Sequence, residues 1–160
     1  MNNPYQSLIA TVTQRHGLPA EIVTAVCSVE SAFNALAVRF EPAVYSRLPL
    51  PRPVAPCSAE TERWARAASW GLLQVMGQTA RGLGFDGAYL SALSISETGL
   101  EYGCQLLAQL VKLYKPRFDW PGVVAAYNAG HPALGTDGKA FVNQDYVDKV
   151  ALALGGKWPA

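Results

Sequence analysis

Apolar residues recur along this chain with helical spacing almost throughout, and at one point a carboxyl interrupts the pattern. In Pro19–Phe33, PAEIVTAVCSVESAF, Val23, Val26 and Cys27 step by three and four, and the next position on that stripe is Glu30. Spacing of i, i+3, i+4, i+7 marks one face of a helix. A carboxyl on such a face loses water, and desolvation favours its protonated form. A carboxylic acid that holds its proton near neutral pH can pass it to a leaving group, chemistry most familiar from glycoside cleavage. A glutamate near a helix end can equally reach solvent or bond a loop amide. The pattern alone leaves both readings open.

The other elements follow from the same periodicity. Tyr5, Leu8, Ile9 and Val12 form an amphipathic stripe, opened by Asn3-Pro4 as cap and first-position proline and ending near Gly17. Pro42, Pro49, Pro51, Pro53 and Pro56 make Arg39–Pro56 an irregular or extended excursion, with room for a short hairpin between 36 and 56. Ser58 caps a short helix through Ala68, with Glu60 and Glu62 in its first turn. From Ser69 to Phe85, Gly71, Gly77, Gly82 and Gly84 punctuate short helical pieces. The strongest stripe is Leu100, Gly103, Cys104, Leu107, Val111 and Tyr114, which predicts a central buried helix over Glu97–Lys115, ended by Pro116. Asp119 caps a further helix, Trp120–Ala129, and a last one runs from Asn143 or Gln144 through Leu154 until Gly155-Gly156 stops it. No run alternates convincingly with period two. The expectation is a mainly α fold around a central buried helix, with at most a short β-hairpin, and residues 1–160 reading as a single domain.

Composition narrows the function. Half of the 160 residues are hydrophobic, enough for a core without metal or disulfide support. The net charge is +1 and the 13 basic residues are scattered, so a nucleic-acid surface is not expected. No stretch approaches the roughly 20 apolar residues of a membrane span. The opening MNNPYQSLIATV lacks a basic segment and a continuous apolar one, so it does not read as a signal peptide. Cys27 and Cys104 fall on apolar stripes and Cys57 in the proline-rich excursion; an odd count without a CxxC pair points to reduced thiols. With His16 and His131 the only histidines, neither a metal site nor any other cofactor is expected.

Three short motifs fall in order: Glu30-Ser31, then Gly71-Leu72-Leu73-Gln74-Val75, then Ala126-Tyr127-Asn128-Ala129-Gly130. With these residues the chain resembles the catalytic domain of the soluble lytic transglycosylases, relatives of goose-type lysozyme. A fourth segment, Glu97-Thr98-Gly99-Leu100 with Gly103, matches the family as well. The resemblance covers about residues 19 to 152, and its weight lies in the ordered set. Arg39-Phe40-Glu41-Pro42 and Ser69-Trp70-Gly71 also look like a subgroup common in phages and prophages. Two positions depart from the pattern: Leu73 stands where methionine is usual, a swap of similar volume, and Gly99 where asparagine is usual.

The resemblance implies a lysozyme-like helical domain with a substrate cleft, acting as a monomer on the glycan strands of peptidoglycan. It implies that Glu30 is the catalytic acid and then base in breaking the β-1,4 bond between N-acetylmuramic acid and N-acetylglucosamine, with 1,6-anhydro ends formed. Ser31, Gln74, Tyr127 and Asn128 would bind substrate; for Ser31 and Asn128 a structural role is an equal reading. Tyr45, Trp64 and Trp70 either line sugar subsites or pack, and His131 reads as a surface histidine. One alternative is a hydrolytic muramidase, which needs a second carboxylate roughly 6.5–9.5 Å from the acid; Glu41, Glu60, Glu62 and Asp119 are candidates, Glu41 first. Others are a non-catalytic wall-binding virion module, and a helical interaction protein whose motifs arose by chance.

Overall fold

The computed structural model describes residues 3–160; Met1 and Asn2, which open the segment read above as no leader, lie outside them. The chain divides into two compact units. One comprises the N-terminal segment through Val29 together with Cys104–Ala160, the other Glu30–Gly103.

The first unit is helical. It contains α1 (Gln6–His16), most of α2 (Ala20–Ser31), the greater part of the long helix α6 (Ser96–Ala129) and α7 (Gln144–Ala153). Asn3 does not cap α1 directly. Its Oδ1 accepts the Tyr5 N–H at 2.9 Å, and a turn separates it from the first helical residue, Gln6. Gly17 ends α1 in the left-handed region at φ 63°, which lets the Leu18 N–H reach the Thr13 carbonyl at 3.0 Å. Ile9, Val12, Val23, Val26 and Cys27 are buried, as the stripes of these helices predict, and Ile22 is buried with them.

The strongest predicted helix is where expected, with Leu100, Cys104 and Leu107 fully buried, but it is longer. Pro116 does not end it. The helix runs on to Phe118 and the axis breaks at Asp119 (φ 52°, ψ −162°), between Pro116 and Pro121, at the residue read as the cap of the further helix from Trp120. Pro121 sits two residues after the break, where its missing N–H costs least.

The second unit carries a small sheet. Strands β1 (Val38–Phe40), β2 (Ala68–Trp70) and β3 (Val75–Met76) are antiparallel in the order β1-β2-β3. Val38 lies opposite Trp70 and Phe40 opposite Ala68, while Ser69 faces Met76. β1 therefore pairs with residues 28 to 32 positions away, and not with a neighbour inside 36–56. The proline excursion holds a single helical turn, α3 (Pro42–Tyr45). Helix α4 (Ala59–Arg66) starts on Ser58 as foreseen, its Oγ accepting the Thr61 N–H at 3.2 Å. It stops at Arg66, so that Ala68 is free to enter β2. After β3, α5 (Gly77–Gly82) follows at once, and a 3₁₀ turn at Leu90–Ser94 precedes α6.

A buried charge cluster ties this unit together. Glu62 has no exposed surface. Its Oε1 accepts from Arg66 Nε and Arg81 Nε, both at 2.8 Å, and its Oε2 from Arg81 Nη2 at 3.0 Å. The remaining nitrogen of the Arg81 fork donates at 2.8 Å to the carbonyls of both Phe85 and Gly87. One guanidinium thus joins α4, α5 and the loop beyond. Burial pushes the Glu62 carboxyl up, but the hydrogen bonds and charges of Arg81 and Arg66 outweigh that and hold it below its ordinary 4.5. A carboxylate stabilised in this way adds stability above about pH 4.5 that is lost as pH falls through its lowered folded value. Replacement Glu62→Gln leaves the nearly buried Arg81 without its counter-ion, and a cost of about 3 kcal/mol is expected at pH 7. In chemical unfolding followed against pH, the gap between the two proteins should narrow steadily once the pH drops below 4.5.

Candidate functional site

Glu30 occupies the last turn of α2 and is half-buried, consistent with a stripe that reaches the helix end. Beyond Ser31 the chain reverses sharply. Ala32 (φ 50°) and Phe33 (φ 63°) are both left-handed, a conformation that costs a non-glycine residue on the order of 1 kcal/mol or more. The Asn34 N–H then returns to the Ser31 carbonyl at 2.9 Å, and the Ala37 N–H reaches the Asn34 carbonyl at 3.1 Å. Two successive strained residues thus fold the segment after Glu30 back into a tight bend that delivers Ala37 to the start of β1.

The glycine motif forms the facing turn. The Gln74 N–H closes on the Gly71 carbonyl at 3.2 Å, and the Gly71 N–H donates to the Ala37 carbonyl at 2.9 Å. Gln74 itself is left-handed at φ 46°. Its side-chain Nε2 donates twice, to the Ala37 carbonyl at 3.0 Å and to the Gly71 carbonyl at 2.9 Å. Both amide protons are thereby spent on backbone, and no protein donor meets its Oε1 among the described residues. Leu72 and Leu73 are buried, and the Leu72 carbonyl accepts the Ser31 hydroxyl at 2.8 Å. The segment that carries Glu30 is therefore bonded to the motif turn through Ser31 and, through Ala37, to Gln74.

Gly71 has a physical reason to be glycine. Its φ is 70°, and a side chain there would run into the Leu93 carbonyl. Gly99, in the first turn of α6, approaches the same carbonyl from another side, and a Cβ on it would collide as well. The departure at position 99 is explained by this close approach.

Tyr127 and Asn128 lie at the end of α6, in the first unit. Tyr127 is half-buried and Asn128 exposed. Asn128 Oδ1 accepts from Asn143 Nδ2 at 2.9 Å, and the same nitrogen donates to the Ala125 carbonyl at 3.0 Å. Asn128 thus ties the end of α6 to the residue that opens α7. So the structure brings Glu30, Ser31 and Gln74 together within one unit, and gives Ser31 and Asn128 definite structural bonds.

Of the four proposed second carboxylates, Asp119 stands at the break in α6, in the first unit, and the other three are occupied in other ways. Glu62 is sealed in its arginine cluster and has no access to a substrate. Glu41 pairs with Arg39 at 2.6 Å, and Glu60 accepts the Tyr45 hydroxyl at 3.0 Å. Sequence reasoning missed the part played by Ala37. A backbone carbonyl leaves no trace in residue type, and only the left-handed bend at Ala32-Phe33 makes it available. The Glu62–Arg66 pair was visible as an i, i+4 spacing, but not its burial.

Comparison with known proteins adds the following. A family model described as "Transglycosylase SLT domain" matches residues 7–148. The fold is similar to the crystal structure of a glutamate-to-glutamine inactive mutant of the lytic transglycosylase Slt from Pseudomonas aeruginosa, with a TM-score of 0.60 and 18% identity over 98% of this chain. The chain spans 26% of that solved chain. No curated protein matches it.

Restoring the more usual residue should be harmful here. Gly99→Asn is expected to lower stability by about 1–3 kcal/mol, because the added atoms must displace the Leu93 backbone. Thermal unfolding of the single variant measures this directly.

Proposed function

Because the chain belongs to the transglycosylase SLT domain family, we propose that it is a peptidoglycan lytic transglycosylase, working as a monomer and with Glu30 as its one catalytic carboxyl. The observation that carries this reading is a half-buried acid on the last turn of α2, followed directly by a serine bonded to the motif turn. A positioned, partly dehydrated carboxyl is what proton transfer to a glycosidic oxygen requires.

In the proposed reaction Glu30 gives its proton to the oxygen leaving the muramic C1. The bond to N-acetylglucosamine breaks, and the positive charge that grows at C1 is met by the acetamido oxygen of the same sugar. Glu30, now a carboxylate, takes the proton of the muramic C6 hydroxyl. That oxygen bonds C1, and the ring closes to the 1,6-anhydro sugar. One carboxyl begins and ends protonated, no water is consumed, and no second carboxylate is needed. This differs from the two-carboxylate schemes of most glycosidases, and it suits a chain in which Glu41, Glu60 and Glu62 are each engaged in ion pairs or hydrogen bonds.

Gln74 contributes an acceptor. With both its protons held by Ala37 and Gly71, its Oε1 is suited to an N–H or O–H of the substrate, such as an acetamido N–H. Tyr127 is assigned a hydroxyl that bonds the substrate. Ser31 fixes the main chain behind Glu30.

Glu30→Gln should abolish the clearing of purified sacculi while leaving the unfolding transition in place; persistent clearing would remove Glu30 from its role. Mass spectrometry of the wild-type products should show ends lighter by one water than those a hydrolase makes. Tyr127→Phe should lower kcat/KM at least about tenfold, near 1.4 kcal/mol of barrier, and a rate equal to wild type would take that hydroxyl out of the mechanism.

A further inference from the structure

We infer that the stacked rings of Phe40 and Trp64 form a carbohydrate platform that holds a glycan strand beyond the reacting bond. This rests on the function proposed above and goes further, because it assigns a binding surface to residues outside the three motifs.

The rings of Phe40 and Trp64 lie nearly parallel, 7° apart with centroids at 5.4 Å. Tyr45 meets Phe40 edge-on at 5.6 Å, and Trp70 meets Trp64 edge-on at 6.0 Å. Four aromatic rings thus run in one row. Its inner end is closed: Trp70 is buried and spends its indole N–H on the Ala65 carbonyl at 2.9 Å. Its outer part is open. Trp64 is 41% exposed and Val38, on the same face of the sheet as Phe40, is 45% exposed. No protein acceptor meets the Trp64 indole N–H among the described residues. An apolar surface of this kind, rimmed by polar groups, marks an interaction site.

The rim decides the occupant. Arg39 is paired with Glu41, Glu60 with the Tyr45 hydroxyl, and the Arg63 guanidinium lies 4.4 Å from the Tyr45 ring centre while donating to the Tyr45 carbonyl. Arg39 and Glu41 neutralise each other, while Arg63, whose Nε is buried without a hydrogen-bond partner, and Glu60 leave one charge of each sign, so a partner carrying charge of a single sign gains little there. A sugar ring suits the surface better, having an apolar face for the indole and hydroxyl or acetamido edges for the indole N–H and the rim.

Placement makes that sugar part of the substrate. Phe40 stands on β1, three residues after Ala37, the carbonyl that holds Gln74. In an extended strand that is about 10 Å, the reach of a short saccharide. The platform therefore engages sugars away from the bond being cut, and its value grows with strand length.

The test compares Trp64→Ala and Trp64→Phe with wild type on peptide-free glycan strands, long ones and the shortest that are cut. Trp64→Ala should lower the long-to-short ratio of kcat/KM about tenfold, through KM, and Trp64→Phe should recover part of it. Equal loss on both lengths, or no loss on either, overturns the proposal. Should Trp64→Ala not fold, a Glu30→Gln, Trp158→Phe protein decides, since Trp70 and Trp120 are buried. Long strands should shield its indole fluorescence from acrylamide, and unchanged quenching refutes the platform. The proposed reaction is judged separately, by the anhydro ends that wild type releases, whatever Trp64 does.

Discussion

The carbonyl oxygen of Ala37 takes two hydrogen bonds, one from the Gly71 backbone and one from the Gln74 side chain, and the arrangement of the candidate site depends on it. It joins the segment leaving α2 to the turn before β3, and starts the pairing that β1 and β2 continue through Val38 and Trp70. Ser31 adds a second tie through Leu72. Each bond is worth on the order of 1 kcal/mol by itself, comparable to the strain in the left-handed pair Ala32 and Phe33. The bend is held by these bonds and by the burial of Leu72 and Leu73 beside them.

The second unit shows how a small sheet is made rigid. Two or three residues per strand cannot stabilise it unaided. Arg81 and Glu62 fasten α5 to α4 from within, and Trp70 crosses from β2 to the Ala65 carbonyl on α4. Around the Leu93 carbonyl, Gly71 and Gly99 remove side chains so that backbone can meet backbone. Polar bonds fix the direction of the elements here, and apolar burial supplies the bulk of the driving force.

Much of this was legible in the sequence, for reasons tied to particular residues. The stripes of α1, α2 and α6 are local, and tertiary packing only extended them; the Ser58 cap is a local signal too. Glu30 was singled out because a carboxyl on an apolar stripe breaks a rule, and it lies half-buried on the last turn of α2. The sheet was not legible. β1 has three residues, and its partner stands beyond five prolines and two helices, so no alternation could build up. The division of α6 was legible as well, since the break falls on Asp119, read as the cap of the helix from Trp120; only the stop at Pro116 was placed too early, because proline is a strong but not absolute stop. Within the site, residue types were visible, while the direction of the Gln74 amide was not, since it is set by carbonyls that leave no mark in residue type.

That direction has a consequence for selectivity. With both protons turned inward, Gln74 shows a visitor only lone pairs. A carboxylate, sulfate or phosphate placed there would find repulsion and no compensating bond, whereas a neutral amide or alcohol is welcomed. The turn thus presents acceptors alone, so that in the function proposed above it would suit the N–H or O–H of a neutral sugar and repel a bare anion.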